Sequence, residues 1–160
     1  MKKLFLIALV CTTCLTVHAQ PGEIISSENI SAQKLKEIFE NAYMDVSKVD
    51  PNGKFIAVKE STSLNVYIDI DSKKRYVTYS LTTKCDESFS ECEVLSLINK
   101  LNSEVLMISP SYNPTKNTFL LKYDYWIVGG VTSRSIVKTK NQFFAAVKLA
   151  FQKDTQKIMK

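Results

Sequence analysis

Leu64-Asn65-Val66-Tyr67-Ile68-Asp69-Ile70-Asp71 is the stretch that decides the fold. Aliphatic residues at 64, 66, 68 and 70 alternate with polar or aromatic ones. A period of two places one row on a core and the other towards solvent, as in a half-buried strand. Turn sequences bracket it closely, Ser61-Thr62-Ser63 before and Asp71-Ser72-Lys73-Lys74 after. Beyond them lie two further β-branched and aromatic runs, Phe55–Glu60 and Tyr76–Thr83. Turns this short leave no room for a crossover helix, so the three strands form an antiparallel meander. Upstream, Asp50-Pro51-Asn52-Gly53 is a further turn, and Val46–Val49 before it is a candidate short strand.

Helical periodicity flanks the meander. Ser31 reads as an N-cap, and Leu35, Ile38, Phe39, Ala42 and Tyr43 share one face of a helix over 34–44. Ser90 caps a second helix, with Glu91 and Glu93 in its first turn and Val94, Leu95, Leu97, Ile98 and Leu101 on its apolar side. It is expected to end near Asn102. Glu104–Ser109 is then a weakly alternating strand, Ser111–Pro114 a turn, and Asn117–Val128 a long strand with Phe119, Leu121, Tyr123, Tyr125 and Ile127 on one side. Gly129-Gly130 breaks that strand. Thr132 caps a last helix reaching about Lys153, with Ile136, Phe143, Phe144, Val147, Ala150 and Phe151 as its stripe. The expected fold class is α+β, an antiparallel sheet of about five strands with helices packed on it in the order α-β-β-β-α-β-β-α.

The 160 residues, 45% hydrophobic and 23% charged, suit one domain and exclude a disordered or collagen-like chain. The N-terminus carries its own message. Lys2 and Lys3 precede an uncharged run from Leu4 to Val17, and Val17-His18-Ala19 offers small residues before Gln20. That is the plan of a secretory signal peptide over 1–19, cut after Ala19, and the run falls short of the roughly 20 residues a membrane span needs. The expected order is then a flexible lead-in over 20–29, a single domain over 30–153 and a basic tail over 154–160, in a periplasmic or secreted protein.

Removing 19 of the 160 residues leaves 141 and lowers the net charge from +5 to +3. The single His, His18, leaves with the leader, as do Cys11 and Cys14. Without histidine, the usual Ser-His and Cys-His pairs cannot be built, and His-containing zinc sites are lost. No catalytic residue, metal or cofactor is expected. A hydrolase would need two tuned carboxylates, and Asp69 and Asp71, on one strand face, read more simply as the solvent side of a hairpin. Cys85 and Cys92 flank a short acidic loop and are disulfide candidates in an oxidising compartment, with two free thiols as the alternative. Gly129-Gly130 lacks the neighbours of a phosphate-binding loop and reads as a tight turn.

Two features suit surface contact. From 132 onward the chain holds seven cations, Arg134, Lys138 and Lys140 among them, against Asp154 alone. Tyr123, Tyr125 and Trp126 follow one another along the last long strand. These six are the interaction candidates.

The chain also resembles the YbjN-type domains, a group named for bacterial sensory transduction regulation. The resemblance rests on Ile30-Ser31-Ala32, the strand pair 64–71 and 76–83, Leu97-Ile98-Asn99-Lys100-Leu101-Asn102, and above all Trp126-Ile127-Val128-Gly129-Gly130-Val131 before the last helix. It implies a fold similar to type III secretion chaperones, often dimeric, with no agreed catalytic residues. The leader and the cysteine pair depart from it. The expected function is an exported, non-enzymatic protein-binding or chaperone-like module that holds a protein partner or itself as a homodimer. The alternative is a small-ligand carrier with a pocket between the sheet and the last helix. Neither nucleic acid nor membrane contact is expected.

Overall fold

The computed structural model describes residues 23–160; the signal-peptide reading lies outside them. Among the described residues the order is β1 (Ile24–Ile25), a 3-10 turn (Ser27–Asn29), α1 (Ala32–Asn41), β2 (Val46–Val49), β3 (Phe55–Lys59), β4 (Asn65–Ile70), β5 (Tyr76–Lys84), α2 (Glu91–Glu104), β6 (Ser109–Asn113), β7 (Thr118–Trp126), β8 (Val131–Thr132) and α3 (Ser133–Lys153). The α+β class and the antiparallel sheet are as the sequence predicts. The sheet has six strands, ordered β2-β3-β4-β5-β7-β6, and β1 and β8 form a separate ribbon. The sixth strand is Val46–Val49, which pairs with β3 across an irregularity near Ser47.

The meander follows from alternation. Val66 and Ile68 of β4 point to the same side as Ile56 and Val58 of β3 and Val77, Tyr79 and Leu81 of β5, and all are buried. β5 and β7 pair along their full length, from Tyr76↔Trp126 to Lys84↔Thr118. All three helices lay their apolar stripes on this one side. Leu35, Ile38 and Phe39 of α1, Val94, Leu97 and Leu101 of α2, and Ile136, Phe143, Val147 and Ala150 of α3 join the strands in one core. Among the described residues no helix covers the opposite side of the sheet. Each helix is started by a hydroxyl cap. Ser31 accepts the Lys34 N–H at 3.1 Å, and Ser90 with Glu93 and Thr132 with Ser135 cap each other reciprocally.

The structure corrects four local expectations. Residues 105–108 form a turn rather than a strand, because α2 runs on to Glu104 and Met107 takes a positive φ of 63°. Val105 and Ile108, three residues apart, anchor this turn in the core. The chain reverses at Pro114–Asn117, leaving Ser111–Asn113 in β6. The expected flexible lead-in is ordered from Ile24, whose strand pairs with β8, and Ile25 and Ile30 are buried. The basic tail is also docked. Ile158 and Met159 are buried, Met159 bridges Cys85, and the Lys160 N–H donates to the Lys84 carbonyl at 2.9 Å.

The glycine pair makes the tight turn expected of it, for a reason beyond the turn itself. Gly129 and Gly130 have φ of 87° and 95°. A Cβ on Gly130 would lie 2.6 Å from Ile24 Cγ2 and 3.1 Å from the Ile25 carbonyl oxygen. Only glycine lets β8 pass this close beneath β1.

Candidate functional site

α3 carries two stripes. Ile136, Lys140, Phe143 and Val147 turn towards the sheet. Ser133, Val137, Asn141 and Ala145, each four residues from the last, turn towards α1. Side chains at this spacing stack along one line of a helix. Facing them are Ile38, Asn41 and Ala42 from the end of α1, and between the two helices opens a groove of ≈ 680 Å³. Arg134 and Lys138 border it, and neither makes an ion pair among the described residues. The lining contains no acid. The nearby α1 acids are engaged, Glu37 by Lys34 at 3.4 Å and Glu40 by Lys36 at 3.7 Å.

Tyr43 follows Ala42, the last α1-side residue of the lining, in the chain. The sequence places it on the apolar face of α1, but it is 100% exposed. α1 stops at Asn41, the Met44 N–H donates to the Phe39 carbonyl, and the Tyr43 N–H donates to that of Glu40. This pair of hydrogen bonds closes the helix and holds Tyr43 at a φ of 58°, a position that glycine fills most cheaply. An aromatic residue held in left-handed backbone with its ring in water is costly for stability alone.

The six interaction candidates separate. Arg134 and Lys138 are at the groove. Lys140 is not available: it is 3% exposed and its Nζ pairs with Glu60 Oε1, tying α3 to the turn after β3. Tyr123 and Tyr125 point to the helix side and are half-buried against the core. Trp126, one residue on, lies on the opposite side of the sheet, 63% exposed, with its ring 5.6 Å from that of Tyr76.

That open side is mostly polar. Phe55, Asp69, Thr78 and Asp124 lie in register across four strands, and Thr78 donates to Asp124 at 2.6 Å. Partial burial raises the Asp69 pKa, whereas Arg75, 3.0 Å from Asp71, lowers that of Asp71. The two carboxylates therefore have separate environments. No group of three or more His, Cys, Asp or Glu gathers as a metal site among the described residues.

The expected disulfide is not formed. Cys85 is buried at the end of β5 beneath Met159, and burial raises its thiol pKa. Cys92 is exposed in the first turn of α2. The space between sheet and α3, where a ligand pocket was expected, holds Tyr79 and Phe143, both fully buried, with ring centres 6.2 Å apart. Burial raises the Tyr79 pKa, and its hydroxyl donates to the Ile136 carbonyl at 3.0 Å.

No family model matches the chain, and no curated protein matches it. Solved structures do. YbjN from E. coli, a proposed transcription regulator, superposes with a TM-score of 0.69 at 9% identity, over 81% of this chain and 94% of that one. A chain of the HopA1–SchA chaperone–effector complex gives 0.54 at 5% identity, over 73% and 91%. The Yersinia pestis type III secretion chaperone SycH, solved in complex with a stable fragment of YscM2, gives 0.50 at 12% identity, over 74% and 98%. At these identities the likeness is one of fold. The α+β architecture is that of YbjN and of type III secretion chaperones.

The groove was partly legible beforehand. The four-residue spacing of Ser133, Val137, Asn141 and Ala145 is a second stripe beside the Ile136–Phe143 one. Its small and amide side chains hid it, because a search for large apolar residues passes over them. Tyr43 gave no such signal, since its spacing continues the α1 stripe.

Proposed function

We propose that this chain is an exported, non-enzymatic protein-binding module of YbjN type, chaperone-like or regulatory, that holds a partner protein in the α1–α3 groove. One observation carries the reading. A shallow, largely apolar groove stands open on a fold shared with two proteins solved in protein complexes. Apolar surface of this kind is stabilised when a partner covers it. The loss of the single histidine with the leader supports a role in contact rather than bond-making.

Two experiments test the reading. A photo-crosslinking residue in place of Val137 is expected to give a discrete protein adduct in the host, and the same residue in place of Tyr67, on the open side of the sheet, none. Equal labelling from both positions, or no adduct from Val137, would defeat it. Export is tested by N-terminal sequencing of the protein recovered outside the cytoplasm, which is expected to begin at Gln20. An intact Met1 there would refute the cleavage.

A further inference from the structure

We infer that the α1–α3 groove selects an amphipathic helix whose apolar stripe is bordered by Asp and Glu. The inference rests on the protein-binding reading and names the class of partner. Length comes first. From Ser133 to Ala145 the α3 side extends about 18 Å, while the α1 side, Ile38 to Ala42, extends about 6 Å, so a docked helix lies along α3 and meets α1 over roughly one turn. Val137, Ile38, Ala42 and Ala145 give that helix an apolar floor. Asn41, Asn141 and Gln142 offer neutral amides at the margin.

Charge then narrows the partner. Arg134 and Lys138 stand one turn apart on the α3 side with no acid opposing them in the lining. Glu37 and Glu40 are occupied by Lys34 and Lys36. Ser133 is the first residue of α3, so the groove also meets the positive end of that helix dipole. Each of these favours carboxylates beside the apolar stripe, and each disfavours a basic segment.

The same charges argue against a second copy. A two-fold pairing through this surface places one cationic patch on its own image. Tyr43, strained and fully exposed, directly follows Ala42 of the lining and would add an aromatic contact at the α1 end.

The test uses the chain from residue 20 and two synthetic helical peptides of about fifteen residues. They share one Leu/Ala stripe and are flanked by Glu in one and Lys in the other. Titration calorimetry is expected to show the Glu peptide binding at least about tenfold tighter, with the advantage shrinking in high salt. The double variant R134E/K138E should reverse the preference, and V137E should abolish binding of the Glu peptide. Should the charge reversal fail to fold by circular dichroism, R134Q/K138Q replaces it and is expected to remove the preference. Equal binding of both peptides overturns the acidic partner and leaves the protein-binding reading standing. Binding of neither, together with no Val137 adduct in the host, overturns both. Retention on phosphatidylglycerol vesicles without peptide binding, or a groove-dependent dimer in sedimentation, also overturns the inference.

Discussion

Lys138 and Lys140 sit two positions apart on α3 and live in different media. Lys140 is 3% exposed and locked to Glu60, whereas Lys138 borders an open groove with no ionic partner among the described residues. Arg134 and Val137 go with Lys138; Ile136 and Phe143 go with Lys140. One side of the helix is finished by the fold, and the other is left for something else to finish. The same residue type therefore acts as structure on one side and as recognition on the other.

The strongest way to break that contrast is K140A. It leaves the Glu60 carboxylate poorly solvated without its counter-charge, at a cost of about 3–5 kcal/mol in urea unfolding. Replacing both partners by apolar residues, K140M with E60L, is expected to be neutral or stabilising. A single-variant cost below about 1 kcal/mol would show that the pair is solvated.

That lysine also marks the limit of what the sequence discloses. Ile136, Lys140, Phe143 and Val147 have the spacing of one helical stripe, so position alone places Lys140 inward. Residue type argued otherwise, and its partner Glu60 is far away in the chain. The meander needed no such partner: alternation in 64–71 and the turns around it fix three strands locally. Tyr125 and Trp126 belonged together as aromatics, but neighbours on a strand face opposite ways. The docked 154–160 segment is too short to show periodicity, and its lysines mask the buried pair Ile158-Met159.

A smaller loss on the finished side is expected from Y79F. Removing the hydroxyl takes away the second donor to the Ile136 carbonyl, which keeps its helical partner, for about 0.5–1.5 kcal/mol in the same assay. On the unfinished side the sign reverses. Y43G relieves the left-handed backbone and should raise stability by about 1 kcal/mol while weakening partner binding. A stability gain with undiminished binding would remove Tyr43 from the interface.

R134A and K138A should each move stability by less than about 0.5 kcal/mol, because neither side chain has an ionic partner among the described residues. A larger drop in melting midpoint would place them on the structural side of the contrast. The smallest effect is one of pH. Asp86 is bonded by Ser88 and by Lys160 at 3.0 Å, which lowers its pKa to about 2. Its contribution is complete above the ordinary carboxylate range and fades as pH falls through about 2. Exchange of the Lys157–Lys160 amides should therefore accelerate in that window more than exchange in β5.

The β1–β8 ribbon has a consequence for how the molecule comes into being. Ile24 and Ile25 pair with Val131 and Thr132, which the ribosome delivers long after them. β1 therefore has no mate until the helices and strands between it and β8 have been made, so zippering of this ribbon waits for the sheet's last strand to pass. A chain built this way keeps its front end unknotted and threadable during synthesis, and fastens it last.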